Sequence, residues 1–155
     1  MSDKNIHVCT TPEDTRECPF CTMDRIRVFM ENDLAVAILD AYPVTPGHTL
    51  IIPKRHVVSF FETTMEERSA LFDLLDGVRE RLLNRRPPFD NRDRSFVPDG
   101  FNIGINDGAA AGQSVFHLHI HLIPRYAGDC ECPRGGVRWV FPERAVYWKP
   151  LSRSD

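Results

Sequence analysis

Residues 112–124 read Gly112-Gln113-Ser114-Val115-Phe116-His117-Leu118-His119-Ile120-His121-Leu122-Ile123-Pro124, and this run holds half of the chain's six histidines. Its histidines alternate with apolar residues, a period of two that is typical of a β-strand. We therefore predict a strand over residues 115–123 with its three histidines on one face, roughly 6.5–7 Å apart. A buried strand with incidental histidines would explain one of them, whereas three on one face indicate a functional cluster.

The composition points to one globular domain in the cytoplasm. The chain has 155 residues, of which 42% are hydrophobic and 26% charged, with a net charge of -3. This charge gives no general attraction to nucleic acid or anionic lipid, and no apolar run approaches the roughly 18 residues of a membrane span. Residues 1–5 lack the apolar core of a signal peptide. The five cysteines are an odd number, so they cannot form a complete set of internal disulfides.

Outward from the histidine run, the pattern predicts an antiparallel sheet and one long helix. Residues 28–30 and 34–40 resemble a hairpin, residues 48–53 a third strand and residues 101–106 a fourth. Leucines and Val78 at helical spacing predict a helix over about 64–84, opened by Thr63 or Thr64 as part of a capping box. Residues 84–99 are expected to form a surface loop, whose arginines more simply face solvent than bind phosphate.

Both ends of the chain differ in character from this centre. Residues 1–16 are polar and predict a flexible tail, residues 17–140 a domain and residues 141–155 a C-terminal arm. A short helix or turn is expected after Pro124, within residues 125–155. The pair Cys18-Pro19-Phe20-Cys21 has the spacing of a zinc knuckle. A redox role ranks lower because no parallel βαβ pattern follows, and two unrelated cysteines remain the plain alternative.

The ordered set of motifs resembles the histidine triad (HIT) superfamily, in its bacterial hydrolase-like branch. Besides the run His117-Leu118-His119-Ile120-His121, the matches are 43–48 (Pro-Val-Thr-Pro-Gly-His), 52–56 (Ile-Pro-Lys-Arg-His) and Asn106-Asp107-Gly108. The resemblance implies an α+β fold with a five-stranded antiparallel sheet and a long helix, dimerising into one extended sheet. It also implies hydrolysis or transfer at the α-phosphate of a dinucleoside polyphosphate or adenylated compound, through a nucleotidyl-histidine that releases a nucleoside monophosphate.

The same resemblance assigns roles to individual residues. His119 is the expected nucleophile, because an imidazole attacks phosphorus well when one ring nitrogen is free and the other is fixed as a donor. His121, Ser114 and Gln113 are expected at the phosphate or leaving group, with Ser114 helping to protonate the latter. Asn106 would also face the phosphate and Asp40 would bind the ribose hydroxyls. Apolar residues of the first strands would hold the base.

A structural zinc ion is expected on the set Cys18, Cys21, His56 and His117, again by resemblance. Two thiolates and two imidazoles close a tetrahedron and leave no open position, so this metal would be structural. The expected histidine nucleophile requires no catalytic metal. Cys130 and Cys132 fall outside this set. Arg125, Arg134 and Arg138 follow the triad and would favour polyphosphate substrates by reaching additional phosphates.

Two other functions remain open from the residues alone. The histidines could ligate a catalytic ion in a metal-dependent hydrolase, although three ligands from one short strand are geometrically awkward. The protein could also be a non-catalytic nucleotide-binding module. Chelation separates the first alternative from a histidine nucleophile, and a His119→Ala variant separates the second.

Overall fold

A five-stranded antiparallel sheet, in the order β1-β2-β3-β5-β4, forms the centre of the protein. The coordinates are a computed structural model that describes residues 18–84, 88–89 and 97–147. The strands are β1 (Val28–Glu31), β2 (Ala35–Leu39), β3 (Thr49–Pro53), β4 (Gly100–Gly104) and β5 (Ile120–Arg125). With one long helix beside it, the sheet confirms the predicted fold class.

That helix, α1 (Met65–Leu83), begins and ends where its sequence signals place it. Thr64 is the N-cap: its hydroxyl accepts from the Glu67 amide at 3.2 Å, and the Glu67 carboxylate accepts from the Thr64 amide at 2.9 Å. Both Thr63 and Thr64 fit the capping pattern in the sequence, and the structure selects Thr64. The N–H of the C-cap, Asn84, returns to the carbonyl of Glu80.

Both faces of the sheet are apolar, and each is covered by a different part of the chain. One face packs against α1 through alternate strand residues such as Ala37, Ile51 and Ile120, which join the buried leucines of the helix. The opposite face carries Val36, Ile38, Leu50 and Ile52, covered in part by Phe20, Met23 and Val28. This alternation follows from the period of two in the strands. His121 is opposite Leu50 in the β3–β5 ladder, so its ring belongs to the second face.

The strand predicted over residues 115–123 is wrong in its first half. The strand β5 begins at Ile120, and residues 115–117 are a bend. The ladder stops because Pro53 of β3 has no amide hydrogen to donate, while its carbonyl lies 2.9 Å from Nε2 of His117. The Leu118 amide pairs instead with the carbonyl of Val57, at 2.7 Å. Two of the three histidines therefore lie just ahead of the strand.

The remaining strand boundaries lie within two residues of those predicted. At the C-terminal end, a 3-10 helix over Gly136–Val140 and a short helix α2 (Pro142–Ala145) confirm the expected short helix or turn. The predicted tail over 1–16, most of the loop over 84–99 and the end of the arm lie outside the described residues. Among the described helices, none has the length and apolar character that a bilayer crossing requires.

Candidate active site and metal cluster

Two cysteines and two histidines that are far apart in sequence converge beside the start of β5. The ligand atoms of Cys18, Cys21, His56 and His117 all lie within 4.8 Å of one another. Nδ1 of His117 is 3.4 Å from Sγ of Cys18 and 3.5 Å from Sγ of Cys21, and Nδ1 of His56 is 3.2 Å from Sγ of Cys21. Tetrahedral zinc with ordinary bond lengths separates a sulfur from a nitrogen ligand by about 3.6 Å. The donor set and its spacing therefore fit such an ion.

The pKa shifts of Cys21 and His117 fit a cluster that binds a cation. Partial burial and the neighbouring Cys18 raise the pKa of the Cys21 thiol to about 11, the shift expected when two thiols meet without a positive charge. Burial lowers the pKa of His117 to about 4. Its Nε2 donates to the Pro53 carbonyl, so its Nδ1 presents a lone pair to the two sulfurs. Nε2 of His56 is buried without a hydrogen-bond partner in the described part of the chain.

His119 is held with one ring nitrogen committed and the other available. Its Nδ1 lies 2.8 Å from the backbone carbonyl of His117 and therefore carries the proton that it donates there. The residue is 6% exposed. The Phe20 ring stands edge-on to its ring at 5.3 Å between centroids, and the ring of His121 lies 5.0 Å away on the other side. This arrangement leaves Nε2 with its lone pair.

A fourth histidine, His48, fixes the proton on His121. The Val44 amide donates to Nδ1 of His48 at 3.3 Å, so Nε2 of His48 carries the hydrogen. That nitrogen lies 3.0 Å from Nδ1 of His121 and 3.5 Å from a carboxylate oxygen of Asp40. Because Nδ1 of His121 accepts, its Nε2 is left as a donor. Burial lowers the pKa of both rings, that of His121 to about 4, so both are neutral at pH 7.

The role of His48 was not predicted, although the sequence carries a signal for it. Asp40 ends the second predicted strand and His48 begins the third, and the ends of a hairpin must meet. The Asp40 amide indeed donates to the His48 carbonyl at 3.0 Å. Asp40 itself is 15% exposed in its side chain, and one carboxylate oxygen accepts from the Tyr42 amide at 2.8 Å.

Gln113 and Ser114, adjacent in sequence, differ in exposure. Gln113 is buried, and both ends of its amide are used inside the protein: Oε1 accepts from the Gly108 amide at 2.8 Å, and Nε2 donates to the Val58 carbonyl at 2.9 Å. The Gln113 side chain therefore links two loops, one at Gly108 and the other at Val58. Ser114 is exposed, which leaves its hydroxyl accessible. Asn106 lines the same cavity as His121.

Two cavities open beside this histidine row. One, of about 280 Å³, lies next to His117 and is walled by apolar residues that include Phe20, Met23 and Val36. The other, of about 670 Å³, lies on the far side of His121, between β4, β5 and the segment 130–140. His117 thus borders the smaller cavity, whereas His48 and His121 border the larger one.

The arginines after the triad are occupied by other parts of the protein. Arg125 pairs with Asp129 at 2.7 Å through two nitrogens, and a third donates to the Asn102 side chain at 2.6 Å. Arg138 donates to the carbonyls of Arg144 and Ala145. Its guanidinium also stacks over Tyr147, as does that of Arg134 at a longer distance. The expectation that these side chains reach additional phosphates gains no support from their contacts.

Comparison with known proteins places this geometry in a family. The HIT domain model matches residues 24–128. An uncharacterized HIT-like protein of Mycoplasma genitalium, MG132, is 38% identical over 116 residues, which cover 72% of this chain and 75% of that protein. The adenylylsulfatase HINT3 of Arabidopsis thaliana is 34% identical over 119 residues, covering 74% of this chain and 55% of that protein.

Among solved structures, a zinc-bound histidine triad family protein of Mycobacterium smegmatis is 36% identical, with a TM-score of 0.56. The match covers 75% of this chain and 80% of that one. The family model spans most of the described fold, including every strand and the whole histidine row. The chain therefore belongs to the HIT domain family.

Proposed function

We propose that the protein is a nucleotidyl hydrolase or transferase that forms a covalent intermediate on His119. Its substrate is a dinucleoside polyphosphate or another adenylated compound, cleaved at the α-phosphate to release a nucleoside monophosphate. The observation that carries this proposal is the hydrogen bond from Nδ1 of His119 to the His117 carbonyl, at 2.8 Å. This bond fixes the tautomer in which Nε2 is the nucleophile.

The reaction proceeds by two successive displacements at phosphorus. In the first, the Nε2 lone pair of His119 forms a bond to the α-phosphorus, and the bond to the leaving group breaks. The leaving group departs with that electron pair and takes up a proton, relayed from solvent through the Ser114 hydroxyl. In the second, water forms the new P–O bond and gives up a proton to solvent, the P–N bond breaks, and the lone pair returns to His119. The net change is addition of one water across the cleaved bond.

The surrounding residues supply positioning and charge stabilisation. His121 donates from Nε2 to a phosphate oxygen, because its Nδ1 is occupied by His48 at 3.0 Å. Asn106 contacts the phosphate on the same side. Asp40 binds the ribose hydroxyls through carboxylate lone pairs that are not already used by the Tyr42 amide or by Nε2 of His48. The base lies in the smaller cavity, against Phe20 and Met23. Gln113 acts on the phosphate indirectly, by holding the loop that leads to Ser114.

Stereochemistry at phosphorus tests this proposal. Two successive displacements retain the configuration of a chiral α-phosphorothioate substrate, whereas direct attack by water inverts it. Hydrolysis in ¹⁸O-labelled water, followed by ³¹P NMR of the product, distinguishes the two. Retention, together with loss of turnover in His119→Ala, is expected. Inversion would contradict the covalent step. If His119→Ala kept the biological function of the protein, a non-catalytic nucleotide-binding module would be favoured.

We further propose a structural zinc ion on Cys18, Cys21, His56 and His117. A metal bound there supplies a cross-link between the N-terminal segment and the chain that precedes β5. It also fixes the position of His117, whose carbonyl orients His119. The zinc-bound Mycobacterium smegmatis relative supports this assignment. Titration of the metal-free protein with zinc should show one tight site per chain.

A catalytic metal is the second candidate, because Asp40, His48 and His121 also bring ligand atoms within 4.8 Å of one another. In the described structure His117 faces the cysteines instead, and His119 is absent from both groups of ligand atoms. The original alternative, one ion on all three triad histidines, therefore has no geometric support. Chelation that removes activity while the fold survives would favour the metal-dependent hydrolase.

A further inference from the structure

The turn that carries the two N-terminal cysteines is attached to the rest of the protein mainly through its sulfur atoms. The turn itself is closed by the Cys21 amide, which donates to the Cys18 carbonyl at 3.1 Å. Among the described residues, each hydrogen bond from this turn to a distant segment joins one of the two sulfurs to a ring nitrogen of His56 or His117. Thiols are weak donors and acceptors, so these bonds alone constrain the turn weakly.

Phe20 lies inside this turn and reaches both the Cys–His cluster and the nucleophile. Its ring stands edge-on to the His117 ring at 5.7 Å and to the His119 ring at 5.3 Å, measured between centroids. It also packs against the apolar residues of the second face of the sheet. Because Phe20 directly precedes Cys21, a displacement of that sulfur would move the Phe20 ring as well.

The cavity of about 280 Å³ shares part of its wall with the Cys–His cluster. Phe20 lines it together with Cys21 and His117, which are two of the four proposed ligands. Other apolar parts of the wall come from Val28 of β1 and Val36 of β2, whose positions the antiparallel ladder fixes. One part of the wall therefore depends on the sheet and another part on the cluster.

We propose that Phe20 couples the two sites: zinc on the Cys–His cluster fixes this ring as a wall of the base cavity, so metal occupancy sets the affinity for the nucleotide. The inference rests on the proposed function, which places the base in this cavity, and adds a form of regulation to that site. In the metal-free protein, part of the nucleotide binding energy would be used to order the turn. Coupling is reciprocal, so a bound nucleotide should raise the affinity for zinc by the same factor.

Two titrations measure this coupling. Calorimetry gives the AMP affinity of zinc-loaded and metal-free protein, and competition with a chromophoric chelator gives the zinc affinity with and without saturating AMP, corrected for zinc held by AMP itself. The zinc-loaded wild type should bind AMP roughly fivefold more tightly or better, and AMP should raise the zinc affinity equally. Phe20→Ala should still bind zinc and bring both factors toward one. Phe20→Leu, which keeps an apolar side chain on the turn, should give intermediate factors.

Val28→Ala is the matched control, because Val28 lines the same cavity from β1 and is not part of the cluster. It should weaken AMP binding to both forms and leave both factors at their wild-type values. Equal AMP affinity with and without zinc would overturn the inference. Undiminished factors in the Phe20 variants would also overturn it, since unfolding of the metal-free chain would then be the link. Absence of AMP binding by the zinc-loaded wild type would instead contradict the proposed function itself.

Discussion

At the scale of single residues, backbone groups and one neighbouring ring determine which nitrogen of each histidine carries its proton. The His117 carbonyl fixes His119, and the Pro53 carbonyl fixes His117. His48, itself oriented by the Val44 amide, fixes His121. The tautomers of His117, His119 and His121 are thus set by their neighbours in the fold.

His121 should make the protein sensitive to acid. Burial, with smaller effects from His119 and His48, lowers its pKa to about 4, against the opposing effect of Asp40. The unfolded chain, with a histidine pKa near 6.5, then binds more protons between those values, so stability falls as pH decreases from 6.5 to 4. The loss assigned to this ring is about 3 kcal/mol as an upper figure.

Urea unfolding of the wild type and of His121→Asn at pH 7, 5.5 and 4 measures this effect. The decline in unfolding free energy should be shallower in the variant, since His117 and the cysteines contribute equally to both proteins. Parallel pH profiles would show that His121 is not the group responsible.

Gln113 should behave as a structural brace, because both of its amide atoms are bonded to the backbone of Gly108 and Val58. Gln113→Glu places an acceptor against the Val58 carbonyl and should cost about 1–3 kcal/mol of unfolding free energy. Turnover should fall together with stability, without a specific rise in KM. A large KM effect in a variant of wild-type stability would restore direct contact with the phosphate.

Some features of individual residues could be predicted from the sequence, and those that could not depend on contacts between distant parts of the chain. Alternation placed His119 and His121 on one face, and C-x-x-C indicated a metal cluster. The direction of the Gln113 side chain could not be predicted, because it depends on where two distant loops pass. His48 was missed because its partner, His121, is 73 residues away in sequence.

At the scale of elements, α1 is connected to the end of β3 by a bidentate ion pair. Arg55 donates to both carboxylate oxygens of Glu67 at 2.7 Å, and Glu67 also closes the capping box of the helix. The Arg55 side chain is 51% exposed and that of Glu67 is 7% exposed. The pair therefore secures the segment that carries His56. The capping role of Glu67 is readable in the sequence, but its burial and its ion pair with Arg55 are not, because a capping residue usually faces solvent.

Removing Arg55 should destabilise the fold mainly above pH 4. Arg55 lowers the pKa of Glu67 to about 2, so the pair's stability is present above the unfolded value and is lost as pH falls through that range. Because Arg55 is half exposed and its charge is screened by solvent, Arg55→Met should cost about 0.5–1 kcal/mol at pH 7. Arg55→Met/Glu67→Gln completes a double-mutant cycle in urea. A coupling of zero at pH 7 would show that the pair contributes nothing.

The strands illustrate how far periodicity predicts an element. Apolar runs bounded by turn residues located all five strands, but the period of two extended the last one to residue 115. Apolar alternation continues through Leu118 even though the ladder does not, since Pro53 has no donor. A pattern of burial is thus readable from the sequence, whereas the partner strand decides where hydrogen bonding ends.

At the scale of the whole molecule, the Cys–His cluster joins the start of the described chain to the histidine row 117–121. Cys18 lies 99 residues from His117 in sequence, yet their ligand atoms are 3.4 Å apart. A metal there would close this long loop and couple folding to metal binding. The sequence predicted the ligands through family resemblance, and the fold brings all four together.

Loss of one ligand should therefore affect the whole protein. Cys18→Ser should lower zinc content, measured by atomic emission on purified protein, and reduce the thermal midpoint by several degrees. Cys132→Ser is the control, because Cys132 is exposed and outside the cluster. Equal zinc content in both variants would contradict the proposed ligand set.

Assembly into a homodimer, expected from family resemblance, stays a prediction. β1 and β4 are the edges of the sheet, and an unpaired edge offers backbone groups to a second chain. Light scattering coupled to size exclusion should give twice the chain mass of 17.8 kDa. A mass of one chain at every micromolar concentration would exclude the extended sheet.

The central claim is that His119 carries the nucleotide between the two displacements. The most direct measurement is intact-protein and peptide mass spectrometry after brief mixing with a panel of adenylated compounds and acid-free quenching. The expected result is a transient increase of one adenylyl group, located on His119 and absent from His119→Ala. Turnover without any adduct on this residue, or an adduct on another histidine, would contradict the account.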